Sequence, residues 1–394
     1  MKRFKIAVLT ATRAEYGLLR PVMFRIADDK MMELQVLVTG MHLSKEYGYT
    51  YQEIEADGFH IDIQVPILGK GNSALDISCA MARALEGFGK YFAELTTRPD
   101  VLVVLGDRYE TMAVVLAAAN ARIPIAHIHG GETTEGAVDE AIRHAITKFS
   151  YLHFASTDIY AKRIIQLGES PERVFSVGAL GVENIKNVQL MSKIELEESI
   201  GFSLYKPYAV VTFHPVTLGN DSAEQQFMQL LEALEAFDMK YIITKANADV
   251  GGMIINQMID EYERSRANVL AITSLGMRRY LSALRYCCMV IGNSSSGIVE
   301  APSFHVPTVN IGDRQKGRLA PKSVICCEPE SKCIIAAMKK ALAEEFKNSF
   351  ANMTSPYEKI GTSEIIVETI KDFLLKNKIN LKKTFYNLEV NLYK

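Results

Sequence analysis

The stretch VLVVLGDRYE (residues 101–110) decides the fold class of this 394-residue chain. Its five consecutive aliphatic residues are followed by glycine and charged residues, which is typical of a parallel strand buried on both faces and ending at a polar edge. Similar apolar runs occur around it at KIAVLT (5–10), LQVLVT (34–39) and PIAHIH (124–129). Because helical patterns separate these runs, we predict a parallel α/β sheet.

The second half of the chain repeats this pattern. Its runs of strand length are YAVVTF (208–213), YIIT (241–244), NVLAIT (268–273), CMVIG (288–292) and TVNIG (308–312). A chain of 394 residues exceeds the size at which one hydrophobic core keeps growing, so two α/β domains are expected.

The more polar segment 187–207 separates the two sets of apolar runs. We therefore predict a first Rossmann-like domain over residues 1–182 and a second over residues 183–375. Residues 376–394, which are rich in lysine, form a predicted C-terminal tail.

The composition excludes several classes of partner. With 44 basic and 46 acidic residues, the net charge of −2 provides no field that would attract nucleic acid or an anionic membrane. The apolar runs are too short for a signal peptide or a membrane span. None of the six cysteines forms a CxxC pair, which favours buried thiols in a reducing cytoplasm.

Ligands bind beyond the carboxyl ends of strands in open α/β sheets, so the residues after each run are informative. TATRAEYG (10–17) lacks the glycine-rich turn of dinucleotide-binding folds. Its Arg13 is either a diphosphate contact or an ordinary surface arginine. Asp107, followed by Arg108, is expected to have a pKa raised by burial, which suits proton transfer. Alternatively, it caps the helix that begins near Tyr109.

The stretch HIHGGETTEGAVDEAIRH (127–144) is the densest in chemically active side chains. His127 and His129 alternate on a predicted strand and would share a face, as HxH metal ligands do. A metal needs three or four converging ligands, and the remaining histidines show no companion motif, so we expect no metal. The following helix is predicted to direct four residues inward: Val138, Ile142, Ile146 and Phe149. On that helix Asp139 and Arg143 are four residues apart, the spacing of an ordinary surface ion pair.

Two features follow strands in the second half. His214 ends the run YAVVTF, and the proline after it keeps it out of helical geometry. GNSSSG (292–297) contains Ser294 and Ser295 and precedes a helical pattern. This turn is either a cradle for phosphate oxygens or a helix cap without a ligand.

Two further candidates lie after that turn. Glu300 is one helical turn further on, where it would accept hydrogen bonds from ribose hydroxyls or else be an exposed glutamate. GDRQKGR (312–318) concentrates positive charge after a strand. Within it, Arg314 is the candidate contact to phosphate or uracil, although a basic loop is often merely solvated.

Eight motifs occur together and in order along nearly the whole chain: TATRAEYG, VTGMHLS, LGDRYE, HIHGGETTEGAVDEAIRHAITK, FHPVT, NAD, GNSSSGIVEAPS and NIGDRQKGR. This set resembles the hydrolysing UDP-N-acetylglucosamine 2-epimerases of bacterial sialic acid synthesis. The resemblance implies a GT-B-like architecture, in which the active site lies in the cleft between two Rossmann-like domains. It also implies a UDP-sugar substrate, no cofactor, no metal and a homodimer or homotetramer.

The family's reaction begins with removal of the sugar's C2 proton and anti elimination of UDP, which gives 2-acetamidoglucal. Water then adds to release N-acetylmannosamine. By position, the resemblance implies proton transfer by Asp107 and Asp139. It implies a second set of residues that hold UDP, among which we also count His214 as catalytic: Arg13, Arg108, His214, Asn247, Ser274, Ser294, Ser295, Glu300 and Arg314.

One position departs from the family pattern. Many members have glutamate in HIEGGE, where this chain has His129 in HIHGGE. Either His129 takes over proton transfer, or Glu132 reaches the same space; we favour His129 because it keeps the position of the missing carboxylate. Non-hydrolysing relatives have TRPE followed by a lysine, whereas Leu18 is near that position here, which favours the hydrolysing type.

Other functions stay open at the level of sequence. UDP-2,4-diacetamido-2,4,6-trideoxyglucose, which leads to legionaminic acid, differs from UDP-N-acetylglucosamine only at sugar C4 and C6. A GT-B glycosyltransferase would use the same cleft with an acceptor. A metal-dependent hydrolase or a nucleotide-sugar sensor would also bind ligand at such an edge.

Overall fold

The computed structural model describes residues 3–71, 73–216, 222–247 and 251–389. Within these ranges the first part of the chain forms a sheet of seven strands. They are β1 (Phe4–Thr10), β2 (Met32–Thr39), β3 (Ile63–Val65), β4 (Val101–Leu105), β5 (Ile125–Ile128), β6 (Leu152–Ala155) and β7 (Val174–Ser176). Their spatial order is β3-β2-β1-β4-β5-β6-β7, and every neighbouring pair is parallel.

The second part forms a separate parallel sheet, with six strands among the described residues. They are β8 (Tyr208–Thr212), β9 (Lys240–Thr244), β10 (Val269–Ile272), β11 (Met289–Gly292), β12 (Thr308–Ile311) and β13 (Val324–Cys327). Their order is β10-β9-β8-β11-β12-β13. The predicted class, two Rossmann-like parallel-sheet domains in a GT-B-like arrangement, is confirmed.

Helices connect the strands and cover both faces of each sheet. They are α1 (Arg13–Asp28), α2 (Tyr51–Ala56), α3 (Ala74–Glu94), α4 (Tyr109–Asn120), α5 (Asp139–Phe149), α6 (Asp158–Gln166), α7 (Leu180–Asn187), α8 (Lys193–Ile200), α9 (Ala223–Leu234), α10 (Gly252–Arg264), α11 (Gly276–Tyr286), α12 (Ser296–Val299), α13 (Ser331–Leu342), α14 (Glu344–Ser349) and α15 (Thr362–Leu375). All five residues of β4 are buried, as expected for a strand covered on both sides.

The last helix, α15, follows the second sheet in the chain but packs against the first sheet. Ile366, Ile370 and Phe373 of α15 belong to the hydrophobic core that surrounds β1 and β4. Beyond it, the backbone N–H of Tyr386 donates to the carbonyl of Gly168 in the first half. The proposed second domain and tail therefore return to the first sheet, and residues 390–394 of the tail lie outside the described residues.

The cysteines do not follow the sequence expectation completely. All six are free thiols, and Cys287 is buried as predicted. Cys79 and Cys326, however, are exposed, so the prediction of buried thiols is wrong for these two. Their side chains lie on α3 and at the edge strand β13, where one face meets solvent.

Each sheet has one point at which the strand order reverses direction. In the first sheet this point lies between β1 and β4, and in the second it lies between β8 and β11. The chain leaves the two central strands toward opposite sides there, which opens a crevice at their carboxyl ends. The segments that follow these four strands carry most of the residues singled out from the sequence.

Candidate active site

The two reversal points border one cavity of about 370 Å³. The first half contributes residues that follow β1 and β4, including Arg13, Asp107 and Arg108. The second half contributes residues that follow β8 and β11, including His214 and Ser294. The cavity therefore lies in the cleft between the two sheets, where open α/β folds bind ligands.

All predicted site residues except two line this cavity. The lining set is Arg13, Asp107, Arg108, Asp139, His214, Asn247, Ser274, Ser294, Ser295, Glu300 and Arg314. The two exceptions are His129 and Glu132, which the structure describes but which do not line the cavity. Of the motif NAD only Asn247 is placed, because Ala248 and Asp249 lie outside the described residues.

Asp107 forms an ion pair with a buried arginine. Its Oδ2 accepts a hydrogen bond from Nη2 of Arg143, whose side chain is only 1% exposed. Burial alone would raise the pKa of Asp107, but the positive charges of Arg143, Arg318 and Arg314 bring it below its ordinary value. The predicted raised pKa is therefore wrong, because the sequence did not indicate that three guanidinium groups surround this carboxylate. Asp107 is anionic at neutral pH.

Arg143 connects several parts of the first half. Its Nη1 donates to Oε2 of Glu140 at 2.7 Å and to the backbone carbonyl of Glu132 at 3.0 Å. Nη2 also donates to the hydroxyl of Thr134 at 2.8 Å. The prediction of an ordinary surface ion pair is wrong for this arginine, since its guanidinium is enclosed and holds the loop between β5 and α5.

The buried face of α5 differs from the predicted one. Val138 and Phe149 are 48% and 44% exposed, although both were expected to point inward. The buried residues are Arg143, Ile146 and Thr147, which share one face of the helix. Arg143 therefore points toward the sheet edge, where its guanidinium donates hydrogen bonds to buried acceptors.

The two histidines of the HxH pattern have different environments. His127 is buried in β5, with its ring nitrogens 2.7 Å from the carbonyl oxygen of Gly106 and 3.2 Å from the hydroxyl of Thr147. Burial lowers its pKa to about 3. The strand ends at Ile128, and His129 has a φ of 63°, so the prediction of a shared face is wrong. Within the described ranges, no group of three or more His, Cys, Asp or Glu side chains is arranged to hold a metal.

His129 is a neutral imidazole in this environment. Its Nε2 accepts a hydrogen bond, 3.5 Å long, from the backbone N–H of Leu180 at the start of α7. Burial lowers the pKa of His129, the charge of Glu132 raises it, and the charge of Arg318 lowers it again, so that the pKa is below its ordinary value. A helix N-terminus also favours the uncharged ring.

Glu132 is more firmly held than His129. Its Oε2 lies 2.8 Å from Nη1 of Arg318, and its Oε1 accepts a hydrogen bond of 2.6 Å from the hydroxyl of Ser156. Burial raises the pKa of Glu132, but Arg318 and neighbouring positive groups lower it below its ordinary value. Glu132 is therefore an anion already engaged on both oxygens.

Arg108, which lines the cavity, is paired with a buried carboxylate. Nε of Arg108 donates to Oε1 of Glu110 at 2.6 Å. Arg108 itself occupies the N-cap position of α4, so Asp107 is not the residue that caps this helix. Glu15, which lines the cavity, has a pKa raised to about 7 by burial and by the charge of Glu110.

Arg13 lies where the two halves approach each other. Its guanidinium pairs with Glu53 at 2.6 Å, and its Nη1 donates to the backbone carbonyl of Ser274 at 3.3 Å. Thr12 caps the helix that begins at Arg13 through a capping box with Glu15. A phosphate in the cleft would therefore meet an arginine that is already oriented.

The wall of the second half is organised by a side-chain to backbone pair. Oδ1 of Asn293 accepts from the backbone N–H of His214 at 2.7 Å, and its Nδ2 donates to the carbonyl of the same residue at 2.8 Å. Nδ1 of His214 accepts from the backbone N–H of Asn247 at 3.4 Å. In the neutral ring the proton is then on Nε2, which makes this nitrogen a hydrogen-bond donor.

The serine turn and Arg314 meet at the same asparagine. Nη1 of Arg314 donates to the carbonyl of Asn293 at 3.1 Å, so the guanidinium is held at the turn that presents Ser294 and Ser295. The helix that follows, α12, is only four residues long. Its dipole therefore contributes less to anion binding than the dipole of the longer helix expected from the sequence would. The serine hydroxyls and Arg314 contribute correspondingly more.

Glu300 is half-buried where the two halves of the chain meet, and it is not the exposed glutamate considered as the alternative. Burial raises its pKa above the ordinary value. A methyl group added to Gly181 of the first half would lie only 2.1 Å from Oε1 of Glu300. A side chain at position 181 would therefore contact the carboxylate of Glu300, which would have to shift to make room.

A comparison of the chain with protein-family models now identifies the family. The model described as UDP-N-acetylglucosamine 2-epimerase matches residues 25–371. The chain belongs to the UDP-N-acetylglucosamine 2-epimerase family.

Two curated relatives of this family member have informative names. The chain is 41% identical over 386 residues to the polysialic acid biosynthesis protein P7 of Escherichia coli, covering 98% of this chain and 97% of the relative. It is 40% identical over 351 residues to the GDP/UDP-N,N'-diacetylbacillosamine 2-epimerase (hydrolyzing) of Campylobacter jejuni, covering 89% and 90%.

Solved structures of the family share the fold. The UDP-GlcNAc 2-epimerase of Neisseria meningitidis, whose structure is described as bound to UDP-GlcNAc, superposes with a TM-score of 0.77 at 19% identity. The match covers 94% of this chain and 100% of the other. At this low identity the comparison establishes the two-domain architecture of the 2-epimerase family and nothing finer.

Several residues around the 2-epimerase cleft were not predicted as site residues. Arg143 and Arg318 are the main ones, and both are buried arginines paired with carboxylates from other segments. Sequence spacing relates residues along one helix or strand, whereas these pairs join distant segments. For Glu15, a signal was present: Thr12 followed three residues later by Glu15 is a capping box at the first strand end.

Among the residues that the structure describes, no helix combines the length and the apolar character required to traverse a bilayer.

Proposed function

We propose that the protein is a hydrolysing 2-epimerase that converts UDP-N-acetylglucosamine and water into N-acetylmannosamine and UDP. The observation that carries this proposal is that Asp107 and Asp139 line the same cavity as His214, Ser294 and Arg314. Carboxylates suit proton transfer at a sugar carbon, and the opposite wall suits a departing diphosphate. The name of the E. coli relative, polysialic acid biosynthesis protein P7, supports the same direction.

The first step is an elimination. A base takes the proton from C2, the C–H electrons form the double bond between C1 and C2, and the C1–O bond breaks so that UDP leaves with its electron pair. Asp139 and the anionic Asp107 supply the carboxylates for this proton transfer. Arg13, Arg314 and Nε2 of His214 supply cationic and hydrogen-bond stabilisation for the diphosphate.

The second step is a hydration. Water adds to the glucal, with its hydroxyl group bonding to C1 and a proton bonding to C2 on the face that gives the manno configuration. The sum of the two steps consumes one water and releases one UDP and one N-acetylmannosamine. Closure of the cleft around the glucal would keep bulk water away until the proton donor is in place.

Within the stretch 127–144, we propose His129 rather than Glu132 as the proton-transfer group. Glu132 is engaged by Arg318 and Ser156 on both of its oxygens, whereas His129 is a neutral imidazole. Both lie outside the cavity wall, so His129 acts after closure brings the sugar toward the loop that follows β5. Full turnover by His129→Ala together with loss of turnover by Glu132→Gln would reverse this assignment.

A second candidate substrate is favoured by one observation. The Campylobacter jejuni relative, at 40% identity, is named for N,N'-diacetylbacillosamine, which is the 2,4-diacetamido-2,4,6-trideoxyglucose considered from the sequence. The chemistry at C1 and C2 is the same for both sugars. Only the surroundings of C4 and C6 would differ, so the same carboxylates and the same UDP wall serve either substrate.

The decisive experiment is product analysis by NMR in D2O with each nucleotide sugar separately. We expect free UDP and free N-acetylmannosamine carrying deuterium at C2 from UDP-N-acetylglucosamine. A product without deuterium at C2 would exclude the elimination mechanism, and a product still linked to UDP would indicate a non-hydrolysing epimerase. Faster turnover of the diacetamido sugar would identify the UDP-linked diacetamido sugar, and not UDP-N-acetylglucosamine, as the preferred substrate.

A glycosyltransferase gives a distinct result in the same experiment. It would consume the nucleotide sugar only after an acceptor is added, whereas the proposed enzyme releases UDP without one. Asp107→Asn, analysed in parallel, controls for contaminating hydrolases, because UDP release that is as fast in this variant as in the native protein does not come from the cleft.

A further inference from the structure

A buried ion pair joins the two halves beside the cavity. Oε2 of Glu132, on the loop after β5, lies 2.8 Å from Nη1 of Arg318, on the loop after β12, and both side chains are 6% exposed. The hydroxyl of Ser156 donates to the second carboxylate oxygen at 2.6 Å. Two charges this deeply enclosed are tolerated as a pair, but either one left alone is strongly unfavourable.

The two loops also touch through their backbones. The N–H of Glu135 donates to the carbonyl of Lys316 at 3.1 Å. A methyl group added to Gly136 would lie only 2.6 Å from the carbonyl oxygen of Asp313, so the backbones are in close contact. Arg314 belongs to the same second-half loop and lines the cavity. The ion pair is therefore at the junction between the loop of His129 and the loop of Arg314.

His129 is placed within this set of charges. Four charged side chains act on it electrostatically: Glu132, Arg318, Asp107 and Arg143. The N-terminus of α7 adds the backbone N–H of Leu180, which donates to its Nε2. Among these groups, Arg143 is already matched by Asp107, and Arg318 is the partner that compensates Glu132.

We propose that Arg318 is a positioning residue of the 2-epimerase site. By pairing with Glu132 it joins the loop of His129 to the loop of Arg314 and cancels the negative charge next to the imidazole. This inference rests on the proposed function, since it assigns Arg318 a role in the same proton-transfer site. It also assigns Glu132 the role of Arg318's partner and not that of a group that reacts with substrate.

The consequence of removing Arg318 follows from electrostatics. Glu132 would be left as a buried carboxylate without a counter-charge beside His129, and the two groups would take up a proton together at higher pH than in the native protein. The ring of His129 would then be charged or bound to a protonated carboxyl at neutral pH. Removing Glu132 as well eliminates the excess charge and restores the neutral imidazole.

The test compares Arg318→Met, Glu132→Gln and the double variant Glu132→Gln/Arg318→Met. Side-chain NMR of His129, assigned with His129→Gln, measures its titration directly, and steady-state kinetics measures the pH profile. We expect proton uptake in Arg318→Met to shift upward by about 1 to 2 pH units. Its kcat should fall on the order of 10²-fold, because the two loops lose their alignment. The double variant should return the His129 titration to that of the native protein.

Arg163→Met is a matched control. Nη1 of Arg163 donates to the carbonyl of Gly131 at 2.7 Å, so this arginine also holds the loop of His129. It is not among the leading electrostatic influences on the pKa of His129. We expect Arg163→Met to leave the His129 titration unchanged even where it lowers kcat.

Two results would overturn the proposal. One is an unchanged His129 titration in Arg318→Met, and the other is an equal shift in Arg318→Met and in the double variant. If Arg318→Met does not fold, Arg318→Lys keeps the charge without the planar fork, and it should preserve the titration while lowering kcat. The same titration in Arg318→Lys and a neutral variant such as Arg318→Gln would equally contradict the charge role.

The proposed function can fail without affecting this test. If the native protein turns over neither nucleotide sugar, the kinetic readout is lost and the proposed function is wrong. The NMR titration of His129 needs no turnover and still decides whether Arg318 controls its charge. Conversely, normal hydrolysis with an unaffected titration would support the proposed function and reject the role of Arg318.

Discussion

The two walls of the cleft are built from different chemistry. The first half presents charged groups that are paired in the interior, such as Asp107 with Arg143 and Glu110 with Arg108. The second half presents hydroxyls and backbone groups, with Asn293 fixing the backbone at His214. On the first wall, burial and neighbouring charges displace the pKa values of Asp107 and Glu15, whereas the second wall is ordered mainly by neutral hydrogen bonds.

This difference separates two tasks that one wall could not perform equally well. Proton transfer needs groups whose protonation state is set by their surroundings, and buried paired charges provide this control. Binding a diphosphate needs several donors in fixed positions, which hydroxyls, a histidine and a single arginine provide. Arg13, which lines the cavity from the first half, is the exception, because it is one of the proposed diphosphate donors. We therefore expect removal of a first-wall carboxylate to lower kcat most and removal of a second-wall donor to weaken UDP binding most.

The largest expected effect is that of Asp107→Asn. The amide cannot act as the base and removes one of the two carboxylates paired with the buried Arg143, which leaves Glu140 as the other. We expect kcat to fall by roughly 10² to 10⁴ with UDP affinity within a few-fold of native, measured by steady-state kinetics and by calorimetry. Asp313→Asn is the control, because Asp313 is 65% exposed on the basic loop. Equal losses of kcat and of UDP affinity in Asp107→Asn would contradict the division between the walls.

The first half also contains a buried charge outside the cavity wall, at Glu169. This carboxylate is 1% exposed and contacts His153, Lys148, Arg173 and Lys383. Burial raises its pKa, but hydrogen bonds from His153 and Lys148 outweigh burial and lower the pKa to about 2. Because the folded pKa is depressed, its contribution to stability is present above the unfolded value of about 4.5 and disappears as pH falls through about 2.

Glu169→Gln is expected to have the second-largest effect. Loss of the buried charge should lower the free energy of unfolding by roughly 3 kcal/mol at neutral pH. The difference from native should shrink between about pH 4.5 and pH 2, because the native carboxylate takes up its proton there. Denaturant unfolding at several pH values measures both effects. Glu172→Gln, an exposed neighbour, should show neither, and a pH-independent difference for Glu169→Gln would rule out the charge as its cause.

Much of the fold was predictable from sequence because it depends on local pattern. The runs at 101–106 and 208–213 became β4 and β8, since continuous aliphatic residues fit a strand buried on both faces. The short strands β3, β6, β7 and β13 were not predicted. Their three or four residues are too few to show a period, and their place in the sheet is set by neighbours.

The site was predictable in position but not in its electrostatics. Residues that follow central strands converge on one cleft, which is a topological rule and needs no side-chain geometry. The helical spacing of Arg143 predicts an ordinary surface pair, because spacing does not reveal which face of a helix is buried. The low pKa of Asp107 depends on Arg143 and Arg318, which come from different segments, so the sequence could not indicate it.

On the second wall, Arg314→Met is expected to weaken UDP binding. Its guanidinium is held at 3.1 Å from the carbonyl of Asn293 and lines the cavity, where a charged hydrogen bond is worth about 2 kcal/mol. We expect the Kd for UDP to rise about 30-fold. Because Arg314 also stabilises the departing diphosphate, kcat should fall too, but by less than in Asp107→Asn. Lys316→Met tests the loop's general charge, since Lys316 is 60% exposed. A comparable loss of affinity in Lys316→Met would indicate steering by the basic loop and not a direct contact.

The smallest expected effect is that of Tyr357→Phe, at the neutral part of the seam between the halves. The hydroxyl of Tyr357 donates to the carbonyl of Leu319 at 2.8 Å and lies 3.1 Å from the hydroxyl of Tyr160. Burial raises the pKa of Tyr357, so the hydroxyl stays protonated through the physiological range. Its removal should lower the free energy of unfolding by about 1 kcal/mol, by the same amount at pH 5 and at pH 8.

Denaturant unfolding of Tyr357→Phe at both pH values therefore completes the comparison begun with Glu169. A hydrogen bond between neutral groups should show no pH dependence, whereas the buried carboxylate should. Tyr205→Phe, whose ring is 72% exposed, is the matched control and should leave stability unchanged. A pH-dependent loss in Tyr357→Phe would contradict a hydrogen bond between neutral groups as its cause, and this part of the contact between the halves would then belong with the charged first wall.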